Sequence, residues 1–242
     1  MNIKNGIITL NNIDGVPFKV DLIPKSNKTS RPQRPMIPRL ECIHNTGNSR
    51  KGANAIMHTN YVDNTNKYIS WHFTVDDKII YQELPINECG FHAGDGRGRG
   101  NRASIGIEIC EQEGIDWQKA KLNAIKLITF LIDNVETLEN NPVKPHQFFS
   151  GKYCPHRILD EGWNKFLISV NDYSINKKKK EQVLTMEDLR KALEIKECKW
   201  ADTEIDLAIE YGLLTQDHKS DEIVTLGVLM TILNRMYEKF NQ

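Results

Sequence analysis

Ser104-Ile-Gly-Ile-Glu-Ile-Cys110 alternates without a break. Ile105, Ile107 and Ile109 share one face, and Ser104, Gly106, Glu108 and Cys110 share the other, the period-two pattern of a β-strand. A glutamate inside so apolar a strand is costly to bury unless it is paired, hydrogen-bonded or placed at a metal. The stretch predicts a buried strand in which Glu108 is either functional or salt-bridged.

Working outward toward the N-terminus, Arg39-Leu-Glu-Cys-Ile-His44 alternates in the same way, with Leu40, Cys42 and His44 on one face and Glu41 and Ile43 on the other. It stops at the turn-forming run Asn45-Thr-Gly-Asn48. A histidine on the last residue of a strand, just before a Gly-containing loop, stands where sites are usually built. Residues 52–62 suit a short helix in which His58 is a surface or packing residue. Tyr68–Asp77 and Lys78–Pro85 are β-rich runs that predict a hairpin about Asp76-Asp77. Trp71 and His72 fall on opposite faces of its first strand. Glu88–Asn101 carries five glycines and reads as a loop able to approach a ligand closely. Because it leads into a strand rather than a helix, a phosphate-cradling role is weak. Residues 1–38 look extended and irregular, with a short strand at Ile7–Leu10, a turn at Asp14-Gly15 and a proline-rich approach at Arg31–Pro38.

Toward the C-terminus, Asp116 can cap a long amphipathic helix bearing Trp117, Leu122, Ile125, Leu127, Ile128 and Leu131. It ends near Asn140-Asn-Pro142, and the loop Lys144-Pro-His-Gln-Phe-Phe-Ser-Gly-Lys-Tyr-Cys-Pro-His156 follows. Pro145 and Gly151 argue for fixed bends rather than helix or strand. His146 and Cys154 suit Zn²⁺, which accepts imidazole nitrogen and thiolate together. The loop offers two ligands, or three with His156, and His44 is the best candidate for one from elsewhere. Three protein ligands would leave an open position for water, as in a catalytic zinc. A last helix is expected to end about Val170.

The 242 residues carry 32 basic and 32 acidic side chains, a formal net charge of +0 that gives no reason to expect nucleic-acid or membrane-surface binding. No segment is apolar enough to span a bilayer, and no signal peptide is read at the N-terminus, so synthesis in the cytoplasm is expected. The cysteines at 42, 89, 110, 154 and 198 show no disulfide framework. Domains are expected at 1–172 and 183–242, joined by a linker at 173–182 that holds Lys177–Lys180. Helical segments are expected over Met186–Ile195, Trp200–Tyr211 and Thr225–Phe240.

Five motifs, in order, resemble the type-2 zinc N-acetylmuramoyl-L-alanine amidases, which include bacteriophage endolysins and relatives of the peptidoglycan-recognition proteins. They are Ile43–Asn48, Ser70–Asp77, His92–Gly96, Ser104–Cys110 and Ser150–Pro155. The resemblance covers about residues 20–170. It implies an α/β fold, a central mixed β-sheet flanked by helices, with a zinc ion held by His44, His146 and Cys154. It also implies hydrolysis of the amide between N-acetylmuramic acid and L-alanine in peptidoglycan, with Glu108 as general base and Lys152 at the oxyanion. Trp71 stands where some relatives carry a catalytic tyrosine. Trp71, His92 and Asp95 are expected to line the substrate groove, and His156 to be a supporting residue. Residues 183–242 resemble a degenerate S-layer-homology unit, implying an all-helical domain that binds a secondary cell-wall polymer. The role implied is a phage or prophage endolysin that reaches the wall after release. The alternatives are a bacterial autolysin of sporulation or mother-cell lysis and a non-catalytic peptidoglycan-binding protein.

Overall fold

The structure is a computed structural model that describes residues 2–181, Leu184–Thr185 and Ile223–Val224. The chain divides into two compact units, Met1–Tyr173 and Ser174–Gln242. In the first unit Ile3–Lys4 (β1) and Ile7–Ile8 (β2) pair antiparallel at the N-terminus. Asn12–Ile13 (β3) and Val16–Val20 (β4) form a hairpin whose turn residues Asp14 and Gly15 both have positive φ, 47° and 80°, the conformation that Asp-Gly accepts most readily.

The main sheet adds Leu40–Asn45 (β5), Phe73–Val75 (β6), Ile80–Gln82 (β7), Ser104–Ile109 (β8) and Val143–Pro145 (β9). Its order is β3-β4-β7-β6-β8-β5-β9. The hairpin β6–β7 is antiparallel, whereas β6, β8, β5 and β9 run parallel to one another. The sheet is therefore mixed, as expected. The expected first hairpin strand shrinks to three residues, because Ser70 bridges to Phe91 rather than continuing along β7.

Helix Trp117–Asn134 (α3) covers one face of the sheet. Asp116 accepts the backbone N–H of Lys119 at 3.0 Å as its cap. Ala120, Ala124, Leu127, Ile128 and Leu131 pack with Ile43, Ile105, Ile107 and Ile109, so the alternation read in β5 and β8 does separate a core face from a site face. Leu122 departs from expectation: it is exposed, off the stripe that faces the sheet. The other face carries Ala55–Asn64 (α1).

Three further expectations are corrected. The Gly-rich loop does not enter β8 directly, because a five-residue helix, Arg99–Ala103 (α2), intervenes. The stretch 144–156 holds the end of β9 and one helical turn, Gln147–Ser150 (α4). Pro145 is tolerated because β9 is the edge of the sheet, where a missing N–H costs no ladder bond. After His156–Glu161 (α5), the helix Trp163–Glu181 (α6) passes Val170 and runs through most of the stretch read as a linker. Its lysine run lacks Gly and Pro and consists of good helix formers.

Beyond α6, Leu184–Thr185 (β10) pairs antiparallel with Ile223–Val224 (β11), a pairing the all-helical reading did not include. The helices expected at 186–195, 200–211 and 225–240 lie outside the described residues, as does Cys198. Cys42, Cys89, Cys110 and Cys154 are free and buried. No helix among the described residues is long and apolar enough to cross a membrane.

Candidate metal centre

The parallel strands deliver the site. His44 is near the carboxyl end of β5 and pairs in register with Glu108 of β8. Pro145, the last residue of β9, is in register with Ile43, so His146 emerges beside His44, and its backbone N–H donates to Ile43 O at 3.1 Å. Ligand sites on sheets with parallel strands gather at these carboxyl ends. Cys154 arrives from the other side of α4. It is held near β5 by Asn45, whose Oδ1 accepts the Arg157 N–H at 3.0 Å and whose carbonyl lies 3.9 Å from the Cys154 sulfur.

His44 Nδ1 stands 3.0 Å from His146 Nδ1 and 4.0 Å from Cys154 Sγ. Tetrahedral zinc, with bonds of about 2.0–2.1 Å to nitrogen and about 2.3 Å to sulfur, would set such pairs about 3.3 and 3.6 Å apart. The outer nitrogens fit the same reading. His146 Nε2 lies 2.9 Å from the Ala93 carbonyl, which can only accept, so its proton is on Nε2 and Nδ1 is a bare lone pair. His44 Nε2 lies 3.1 Å from His92 Nδ1. In the tautomer that donates this Nε2–H to His92, the two Nδ1 lone pairs face each other with no proton between them, and the Cys154 sulfur lies beside them. A cation satisfies them, and two imidazoles with a thiolate are a zinc donor set. Burial holds His44 and His146 below the ordinary histidine range, leaving both neutral. Burial also pushes the Cys154 thiol up to about 11, so metal binding there must displace a proton.

A second donor cluster, Cys42, His44 and His92, also lies within 4.8 Å, ligand atom to ligand atom. It is the poorer candidate. His44 and His92 already satisfy each other there, and Cys42 is fully buried away from the groove.

The cluster His44, His146 and Cys154 opens instead onto a groove of 340 Å³ that is also lined by Glu108, Lys152, Trp71, His92, His58, Tyr61 and Phe91, among others. Glu108 Oε1 is 3.8 Å from His44 Nδ1, and Oε2 has no partner among the described residues. Burial pushes this carboxyl up to about 8, against the lowering pull of Lys152. Lys152 is exposed at the groove wall. Trp71 is buried, donates its indole N–H to Thr74 Oγ1 at 2.6 Å and meets His58 edge to face. His58 is thus a groove residue rather than a surface one.

Asp95 is the sequence candidate that the structure places elsewhere. Its two carboxylate oxygens accept the backbone N–H groups of Gly100 and Asn101 at 2.7 and 3.1 Å, capping α2, and it does not line the groove. His156 pairs with the buried Glu111 at 2.9 Å, a supporting contact as expected. Asn45 and Asn101 were not singled out by the sequence. Only their positions, one after His44 and at the end of the glycine run, could have drawn attention to them.

Residues 33–157 match the family of N-acetylmuramoyl-L-alanine amidases. The chain belongs to this amidase family. It is 51% identical over 157 residues to the N-acetylmuramoyl-L-alanine amidase CwlH of Bacillus subtilis, covering 64% of this chain and 62% of that protein. It is 50% identical over 147 residues to the amidase XlyA of the same organism, covering 60% of this chain and 48% of XlyA. The chain thus spans less than two thirds of the length of either relative. The solved catalytic domain of XlyA and a mutant endolysin from Bacillus subtilis each align with a TM-score of 0.61 at 46% identity, covering 64% of this chain and 99% of theirs. Like these amidases, the chain has the mixed sheet flanked by helices.

Proposed function

We propose that the chain is a zinc-dependent peptidoglycan hydrolase that cleaves the amide between N-acetylmuramic acid and L-alanine of the stem peptide. His44, His146 and Cys154 would hold the metal. The observation that carries this reading is the convergence of three potential metal donors and a Glu108 oxygen with no partner among the described residues on one groove, in a chain of the amidase family.

Zinc, when bound, supplies a Lewis acid toward the scissile carbonyl and a water of lowered pKa, toward about 7. In its ionised form Glu108 takes the proton as water oxygen bonds to the carbonyl carbon, then delivers it to the alanine nitrogen as the C–N bond breaks. The products are the lactyl carboxylate of the muramic acid and a free alanine amine. The Lys152 ammonium offsets negative charge on the carbonyl oxygen. Trp71 and His92, with Tyr61 and Phe91, form walls that orient the glycan-peptide and exclude bulk water. Release of L-alanine amino termini from purified cell wall, lost with a chelator and restored by Zn²⁺, tests the assignment. A wall that gains reducing sugar ends instead would sink it.

For the biological role we propose host lysis by a phage or prophage endolysin reaching the wall after release from the cytoplasm. The likeness to an endolysin structure supports it. Residues 183–242 are proposed to bind a secondary cell-wall polymer, which a wall pull-down comparing the full chain with a chain ending at residue 181 would check.

A further inference from the structure

The glycine-rich segment 90–103 touches both histidines of the metal centre, and it does so through two consecutive residues. His92 presents Nδ1 to His44 Nε2 at 3.1 Å, and the next residue, Ala93, presents its carbonyl to His146 Nε2 at 2.9 Å. One buried side chain holds both peptides: Asn101 Oδ1 accepts the N–H of His92 and the N–H of Ala93, each at 2.9 Å. The Asn101 amide is itself fixed at its other end, where Nδ2 donates to Gly96 O at 3.1 Å. Asp95 locks the backbone beneath it by accepting the Asn101 N–H.

The fit around this bracket is close. A Cβ at Gly100 would lie 2.3 Å from the Ala93 side chain, and one at Gly106 would lie 2.7 Å from the His92 ring. The glycines therefore serve contact between protein segments, with the His92 ring lying against β8, and not only approach to a substrate.

We propose that Asn101 is the positioning residue of the metal centre, setting the tautomer and ring orientation of His44 through His92 and of His146 through the Ala93 carbonyl. Outer partners of this kind keep the unprotonated nitrogen of each ligand aimed at the metal, and losing one costs roughly 10- to 100-fold in metal affinity. A single amide that governs two such partners couples both histidines to one loop. The inference rests on the metal reading of the preceding section.

The test is Zn²⁺ affinity of the full-length chain, measured by competition with a chromophoric chelator, beside the thermal midpoint of the metal-free protein. Asn101→Ala is expected to weaken Zn²⁺ binding by roughly 10- to 100-fold. Asn101→Asp, which keeps an accepting oxygen at the same reach but loses the bond to Gly96, is expected to fall between it and the parent. His92→Phe, which keeps the ring in its slot but removes the acceptor, is expected to lose about tenfold through His44 alone. Should Asn101→Ala not fold, His92→Phe carries the decision. Parental Zn²⁺ affinity in Asn101→Ala or in His92→Phe overturns the proposal, as does an Asn101→Asp chain no better than Asn101→Ala. A parent chain that binds no Zn²⁺ overturns the metal reading itself.

Discussion

Glu108 and His44 face each other across adjacent parallel strands, in register, with Glu108 Oε1 3.8 Å from His44 Nδ1. The strand ladder thus sets the distance between the proposed acid–base group and the proposed metal ligand, and no loop motion is needed to bring them together.

Glu108→Gln keeps the volume and removes the proton carrier. Amidase activity is expected to fall by roughly 10²- to 10⁴-fold, while bound zinc and the thermal midpoint stay near the parent values. Because Glu108 Oε2 has no partner among the described residues, the exchange breaks no hydrogen bond there. Retention of full activity would remove Glu108 from the mechanism.

Chelation should lower stability as well as activity, because the ligands come from β5 and from both ends of the 146–154 segment. At free Zn²⁺ about 100 times the dissociation constant, the bound metal contributes about 2.7 kcal/mol. For a unit of this size that corresponds to roughly 5–10 °C in Tm. Scanning calorimetry with and without chelator measures it, and equal midpoints would contradict a metal that ties these elements together.

Gly106→Ala adds one methyl group where a Cβ would lie 2.7–2.9 Å from three atoms of the His92 ring. Relief requires the ring to leave its slot and hence His44. Overpacking of this kind costs about 1–3 kcal/mol, and zinc affinity should fall with it. Urea denaturation together with metal titration separates the two effects.

Glu41 lies in β5, buried, with neither carboxylate oxygen partnered among the described residues. Burial pushes its carboxyl well above 4.5. The folded protein keeps this proton at pH values where the unfolded chain has released it. Its contribution is therefore fully present below pH 4.5, the ordinary value, and is lost as pH rises through the folded value. Glu41→Leu should raise stability at pH 8 by about 1–3 kcal/mol, with a smaller gain at pH 5. Urea midpoints of the two chains at both pH values decide this, and a gap that does not widen with pH would contradict it.

Much of the site was legible because its chemistry is written in short-range patterns. Alternation placed His44 and Glu108 on one face of their strands, and His146 and Cys154 stood out as zinc-type donors on one segment. The pattern was less informative where a residue's partner is its own loop. Asp95 reads like any acidic loop residue, yet it caps α2. Leu122 belongs to a helical apolar stripe, yet it points to solvent, since the stripe's width depends on what packs against it.

By itself the sequence determined the strand faces and the α3 stripe with its Asp116 cap, consequences of side-chain period and residue chemistry. It offered His44, His146, Cys154 and His156 as zinc-type donors, and the family resemblance pointed to the first three. Tertiary structure decided that β5 lies between β8 and β9, which brings histidines 102 positions apart to 3.0 Å. It also decided that Pro145 ends an edge strand and that the glycine run folds back on Asn101. Periodicity is a property of neighbouring residues. Strand order and loop docking depend on pairings between segments far apart in the chain, where closure entropy and mutual burial choose the partner.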